Sequence, residues 1–245
     1  MNLAFCIILG LLPSFIWLIF YLSKDSHPEP KRMVLKIFLL GALMGPLAAA
    51  LEGLAVWVFE PTVDWRQFLM IFDKIDYRYF LNILLFAPII EELLKYSVVR
   101  WQVLKDPSFD EPLDAMIYLI VSALGFAAVE NLLNVLSAPD FNLKIALSQA
   151  TARFLSATLL HVLSSGLLGY FLALSLLNFK KRKLYLWVGI LLAISFHSFY
   201  NFIAWLVLSN ALYAAALAIL LISLTILIFW QFYRLKKQLS ICKIN

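Results

Sequence analysis

Glu91 and Glu92 stand side by side in Ala87-Pro88-Ile89-Ile90-Glu91-Glu92-Leu93-Leu94-Lys95-Tyr96, inside an otherwise apolar run from Phe80 to Val99. Charged groups are rare in hydrocarbon because they cost several kcal/mol there unless they face a protein interior or a wet cavity. A carboxylate in such a place can take a proton from water, and an ammonium one helical turn away can hold a second carboxylate still. Adjacent helical residues project about 100° apart, so the two carboxylates are expected to aim at different atoms, while Lys95 lies within reach of either. One glutamate is therefore read as the working group and the other as a fixed partner. A buried ion pair that only locks helix register is the competing explanation.

Three other apolar stretches carry groups of the same kind. Glu130 follows Gly125-Phe126-Ala127-Ala128-Val129 and precedes Asn131, and it shares a helix face with Asn134; alone it would read as a buried glutamate held in its neutral form. Arg153, Ala157, His161 and Ser165 follow one another at i, i+4, which draws a polar stripe along one helix. His197 and Asn201 lie one turn apart on another. Peptide hydrolysis needs a base for water, donors for the oxyanion and an acid for the leaving amine. Glutamate, histidine and asparagine can supply all three. A second route uses a metal, since carboxylate and imidazole donors suit Zn2+, with Glu91, Glu130, His161 and His197 as its ligands. No H-E-x-x-H is present, so both routes stay open. The absence of G-x-S-x-G, and of any histidine near Cys6 or Cys242, argues against a serine or cysteine nucleophile.

The elements that must position these groups are membrane helices. Of the 245 residues, 63% are hydrophobic and 14% charged, which departs far from the roughly 45–50% and 25% of soluble domains. The expected fold is all-α, one polytopic bundle over residues 1–245 with about seven spans, at 3–22, 33–59, 80–99, 113–136, 146–177, 184–208 and 211–232. The net charge of +5 sits in short connections, as topology signals do, so no nucleic-acid partner is inferred. Placing Lys24, Lys31, Arg32, Arg100, Lys105, the Lys180–Lys183 cluster and the tail on the cytoplasmic side puts the N-terminus outside and the C-terminus inside. Cys6 and Cys242 then fall on opposite sides and do not pair. Residues 60–79 read as an interfacial segment, His27 as a solvated loop residue, and Glu52 as an interfacial group or the partner of an arginine. Cys242-Lys-Ile-Asn245 fits a prenylation box poorly. In this topology Glu91, Glu130, His161 and His197 lie roughly 10 to 17 residues into their spans, at about 1.5 Å per residue. Four register locks at one depth are less expected than one site.

Taken together the motifs resemble the PrsW intramembrane proteases, which are similar in turn to the type II CAAX prenyl endopeptidases and their bacterial immunity relatives. The resemblance runs through the Asp25 to Pro30 turn with its Pro-Glu-Pro, Glu-Glu-x-x-Lys at Glu91 to Lys95, Gly-Phe-Ala-x-x-Glu-Asn ending at Asn131, Arg153 to His161, and His-x-x-x-Asn at His197 and Asn201. It implies a multi-pass peptidase of the cell membrane that clips membrane-anchored proteins, an anti-sigma factor being the best-known kind. It further implies Glu91 as base, His161 and His197 polarising water and substrate, and Asn201 in the oxyanion hole. Glu92 and Glu130 belong to the pattern, with Lys95, Asn131 and Arg153 in support. The prenyl endopeptidases carry an arginine one position later than Lys95, which argues against a prenylated substrate.

Two other classes are compatible with intramembrane carboxylates and histidines. A proton-coupled transporter gathers such groups at the midplane, but the chain shows no internal repeat with paired broken helices. A non-catalytic membrane scaffold or immunity protein would keep the bundle and tolerate loss of Glu91.

Overall fold

A computed structural model describes residues 3–25, 27–59, 82–136 and 142–238, and the regular elements among them are helices. In chain order these are α1 (Leu3–Leu22), α2 (Lys31–Phe59), α3 (Ala87–Gln102), α4 (Asp114–Leu136), α5 (Leu143–Leu155), α6 (Ala157–Leu177), α7 (Arg182–Ser209) and α8 (Tyr213–Lys236). Among the described residues six stretches are long and apolar enough to cross a bilayer: α1, α2, α4, α5 with α6, α7 and α8. The expected all-α membrane bundle is the architecture found. The interfacial segment at 60–79 and the Cys242 tail lie outside the described residues.

The helix that carries the two glutamates, α3, has 16 residues. It is lengthened at its start by a π-helical turn, Asn82–Phe86. Pro88 explains that turn: proline has no N–H for the carbonyl four residues back and its ring crowds that carbonyl, so the preceding turn widens. Two helices form the centre of the bundle. The most apolar 18 residues of α4 are 78% buried, and those of the α5–α6 stretch 83%, against 17–33% for α1, α2, α7 and α8. A helix apolar all round belongs inside such a bundle, and the outer helices turn their leucines and isoleucines to lipid. On α8 the buried positions Leu221, Leu224, Ile228, Gln231, Phe232 and Leu235 form one stripe, and the rest of the helix is rim.

Glycine sets how close α2 comes to α4. A Cβ on Gly41 would collide with the Ser122 carbonyl oxygen, and one on Gly125 with that of Phe38. The backbones therefore touch, as small residues permit in membranes. Gly41 meets Ser122 and Gly45 meets Val129, so the two helices run parallel. Gly125→Ala should destabilise the bundle by about 1–3 kcal/mol, because forcing the backbones apart outweighs the gain of about 1 kcal/mol in helix propensity. A thermal midpoint in detergent equal to the parent's would refute this packing.

The α1–α2 and α3–α4 connections are tied together. Glu29, in the Pro-Glu-Pro turn, is buried, and Tyr118 Oη donates to its Oε2 at 2.5 Å. Burial first, and then its hydrogen bond with Asp114, push the Glu29 carboxyl up to about 9. His27 is exposed as expected, but it also pairs with Glu111 at 2.6 Å.

The span expected over 146–177 is not one helix. It breaks at Ser156, whose hydroxyl bonds the Ala152 carbonyl at 2.6 Å, a side-chain competition that loosens helical geometry. Arg153 thus lies in the last turn of α5, while His161 and Ser165 belong to α6. The i, i+4 stripe is shared between the two helices: Arg153 and His161 both face Glu130, and Ser165 faces Glu92.

Candidate functional site

Lys95 is the hub. Its side chain is fully buried, and its three N–H donors all find acceptors: Glu92 Oε1 at 2.9 Å, His161 Nδ1 at 2.9 Å and Glu91 Oε2 at 3.2 Å. The ammonium also lies 4.5 Å from the centre of the Phe126 ring, a favourable seat for a cation. Both glutamates therefore reach one atom, contrary to the expectation from their projection angles. Lys95 stands three residues from one and four from the other, and its long stem brings Nζ between them. The Ser122 hydroxyl donates to the Lys95 carbonyl at 3.2 Å and fixes α3 against α4.

Glu92 is held on every side. Its Oε1 receives Lys95, Ser164 Oγ at 3.1 Å and His197 Nδ1 at 2.9 Å, and its Oε2 receives Ser165 Oγ at 3.1 Å. Glu91 is less engaged. Its Oε2 lies 3.2 Å from Lys95 Nζ, 3.7 Å from His161 Nδ1 and 3.9 Å from His197 Nε2. The two imidazoles meet edge to face, 5.1 Å between ring centres.

Glu130 approaches from the far side of His161, with its Oε2 2.7 Å from Nε2. Arg153 reaches across the break at Ser156 to donate to the same oxygen at 3.1 Å, and to Asn131 Oδ1 at 2.5 Å. Asn131 Nδ2 in turn donates to Thr158 Oγ1 at 2.9 Å. The Glu130 and Arg153 side chains are 29% and 21% exposed, against 8% for Glu91, so the cluster opens to the molecular surface on their side. Asn201 lies one turn beyond His197 on α7 and is half-buried. Glu52 is half-buried on α2, within electrostatic range of Glu130 and Lys95.

The partners assign the protons. His161 Nδ1 accepts from Lys95, so its proton sits on Nε2 and is donated to Glu130. His197 Nδ1 donates to Glu92, which leaves the lone pair on Nε2. Three lone-pair atoms, Glu91 Oε2, His161 Nδ1 and His197 Nε2, therefore converge. Glu91, His161 and His197 offer ligand atoms within 4.8 Å of one another. This donor set fits a zinc ion, and each histidine carries a carboxylate on its other nitrogen, the arrangement that orients imidazole ligands. Lys95 Nζ meets two of the three donors, so an ion would have to displace the ammonium from them. Glu130, expected as a fourth donor, lies beyond His161.

Sequence spacing missed the hydroxyls. Ser164 stands one turn after His161, where α6 faces Glu92, and Thr158 faces Asn131; a serine in an apolar helix usually satisfies itself on its own backbone, so spacing alone does not single these out.

Comparison with known proteins adds an independent line. Residues 29–230 match the family described as PrsW family intramembrane metalloprotease. Among curated proteins, the protease PrsW of Geobacillus kaustophilus is 29% identical over 219 residues, covering 89% of this chain and 84% of that protein. The protease PrsW of Clostridioides difficile is 28% identical over 201 residues, 80% and 77% of the two chains. That of Bacillus subtilis is 25% identical over 206 residues, 83% and 84%. No solved structure matches.

Proposed function

The chain belongs to the PrsW family of intramembrane metalloproteases and is a multi-pass membrane protease; from that premise we propose that it cleaves membrane-anchored proteins with a water molecule activated by Glu91. The observation that carries this reading is the convergence of Glu91, His161 and His197 within 4.8 Å in a buried cluster that opens beside Glu130. A water donating one proton towards Glu91 Oε2 and the other towards His197 Nε2 is held between two acceptors 3.9 Å apart. Glu91 takes the proton as the water oxygen bonds to the substrate carbonyl carbon. The carbonyl oxygen, now negative, is stabilised by donors, a role assigned in this proposal to the amide of Asn201, one turn after His197 in sequence. Glu91 then returns the proton to the leaving nitrogen as the C–N bond breaks. Glu92 and Lys95 hold the frame, and Glu130 with Arg153 and Asn131 orients His161. The substrate class is a single-span or otherwise anchored protein, of the kind an anti-sigma factor represents.

A metal-assisted form of the same reaction is favoured by one observation, the carboxylate on the outer nitrogen of each histidine. Glu91, His161 and His197 would hold a Zn2+ ion, which would supply Lewis-acid polarisation and a more acidic water. The test common to both is incubation of the purified protein in detergent with candidate single-span proteins beside its Glu91→Gln variant; a substrate cut by both would overturn the reading.

The orientation proposed has the N-terminus outside and the Lys180–Lys183 cluster cytoplasmic, in keeping with basic residues on the inner face. Lys181→Cys in intact cells should resist an impermeant thiol reagent until the membrane is opened. Labelling from outside would invert the topology.

A further inference from the structure

Two of the three serines of α6 stand apart from the third. Ser175, equally buried, satisfies itself on its own helix by donating to the Leu172 carbonyl at 2.7 Å. Ser165 instead reaches to α3 and donates to Glu92 Oε2 at 3.1 Å. Ser164 lies 3.1 Å from Glu92 Oε1 and 3.3 Å from the His161 carbonyl. Its single O–H has a choice of acceptor, and the carboxylate is the stronger one. Ser165 thus occupies one carboxylate oxygen of Glu92, while Ser164 and Lys95 occupy the other. With both oxygens engaged the carboxylate cannot turn about its terminal torsion, and Oε1 stays 2.9 Å from His197 Nδ1.

That fixed oxygen decides which face of His197 meets Glu91. An acceptor at Nδ1 keeps the proton on that nitrogen and the lone pair on Nε2. Were Glu92 free to rotate, Oε1 would leave Nδ1 and the imidazole could move its proton to Nε2. The ring would then present a donor where Glu91 and its water need an acceptor. Loss of an orienting carboxylate is known to disable a catalytic histidine through its tautomer. We propose that Ser164 and Ser165 are positioning residues that clamp Glu92 and so hold His197 with its proton on Nδ1 and its lone pair facing Glu91. This rests on the reading of Glu91 and His197 as the pair that holds water.

The chain has three histidines, His27, His161 and His197, so protein labelled with 15N-histidine gives a countable set of imidazole signals. His27→Gln and His161→Gln assign them. Long-range 15N–1H spectra in detergent separate a protonated ring nitrogen from a bare one. His197 is expected as the Nδ1–H form in the parent, and as a mixture of tautomers in Ser164→Ala/Ser165→Ala, with His161 unchanged. Turnover of a cleaved single-span substrate should fall about 10- to 100-fold in the double variant at nearly constant KM, the usual cost of losing an outer partner of a working histidine. Ser175→Ala, which removes a buried hydroxyl from the same helix, should leave the tautomer and the turnover as they are. If the double variant is not monodisperse, Ser165→Ala alone should show the shift and Ser165→Thr, which keeps the hydroxyl, should reverse it. A His197 spectrum identical in parent and serine variants would overturn the clamp whether or not the protein cuts. The expected tautomer shift in a protein that cuts no anchored substrate would uphold the clamp and overturn the proposed cleavage of anchored proteins by the Glu91 and His197 pair.

Discussion

Replacing Glu91 with glutamine is expected to lower turnover of an anchored substrate by about 10²–10⁴-fold, the span that one general base contributes. Glutamine matches the acid in shape but cannot take a proton. It still offers Lys95 an oxygen at the position of Glu91 Oε2, so folding should be little changed. Of the two glutamates, Glu91 has the sparser set of partners, Lys95 at 3.2 Å and two imidazoles at 3.7 and 3.9 Å. A side chain left with spare acceptor capacity inside a buried cluster is the one able to engage water. The measurement is single-turnover cleavage of a substrate cut by the parent, beside the thermal midpoint of each protein. A variant that retains near-normal cleavage removes Glu91 from the chemistry. Repeating the parent assay with a chelator separates the two forms of the reaction: unchanged turnover supports water activated by Glu91 alone, and a loss restored by zinc assigns the activation to a bound ion.

Lys95→Met should have the largest effect on stability, about 3–5 kcal/mol, because removing one partner from a buried ionic cluster leaves the others uncompensated. Here the loss exposes Glu91, Glu92 and His161 at once, since a single fully buried Nζ serves all three. Methionine keeps the length and apolar stem, so the change isolates the charge and its hydrogen bonds from packing. The thermal midpoint in detergent and the yield of monodisperse protein report it, with Glu91→Gln as the variant that should stay near the parent. A Lys95→Met midpoint equal to the parent's would refute the lysine as the electrostatic centre of the bundle. Added zinc raising the midpoint of Lys95→Met, but not of the parent, would show that the ammonium and an ion compete for the same donors.

Much of this was legible in the chain. Apolar runs of the right length with basic connections identify a polytopic bundle, because the bilayer requires backbone hydrogen bonds to close within each segment. Charged groups inside those runs mark the site, because hydrocarbon penalises them wherever they have no task or partner. Helical periodicity also sets relations within one helix: Lys95 against Glu91 and Glu92, and His197 against Asn201, follow from spacing alone. What spacing cannot carry is the rotation and approach of one helix relative to another. That Ser164 and Ser165 close on Glu92, that Arg153 reaches Glu130 across the break at Ser156, and that His161 meets the same ammonium as both glutamates were decided by tertiary structure. Contacts such as Gly41 on Ser122 and Gly125 on Phe38 bring backbones together, and only then do side chains of a few ångströms' reach find partners on another helix. The proton positions on His161 and His197 follow last, since each is dictated by the atom that faces the other ring nitrogen.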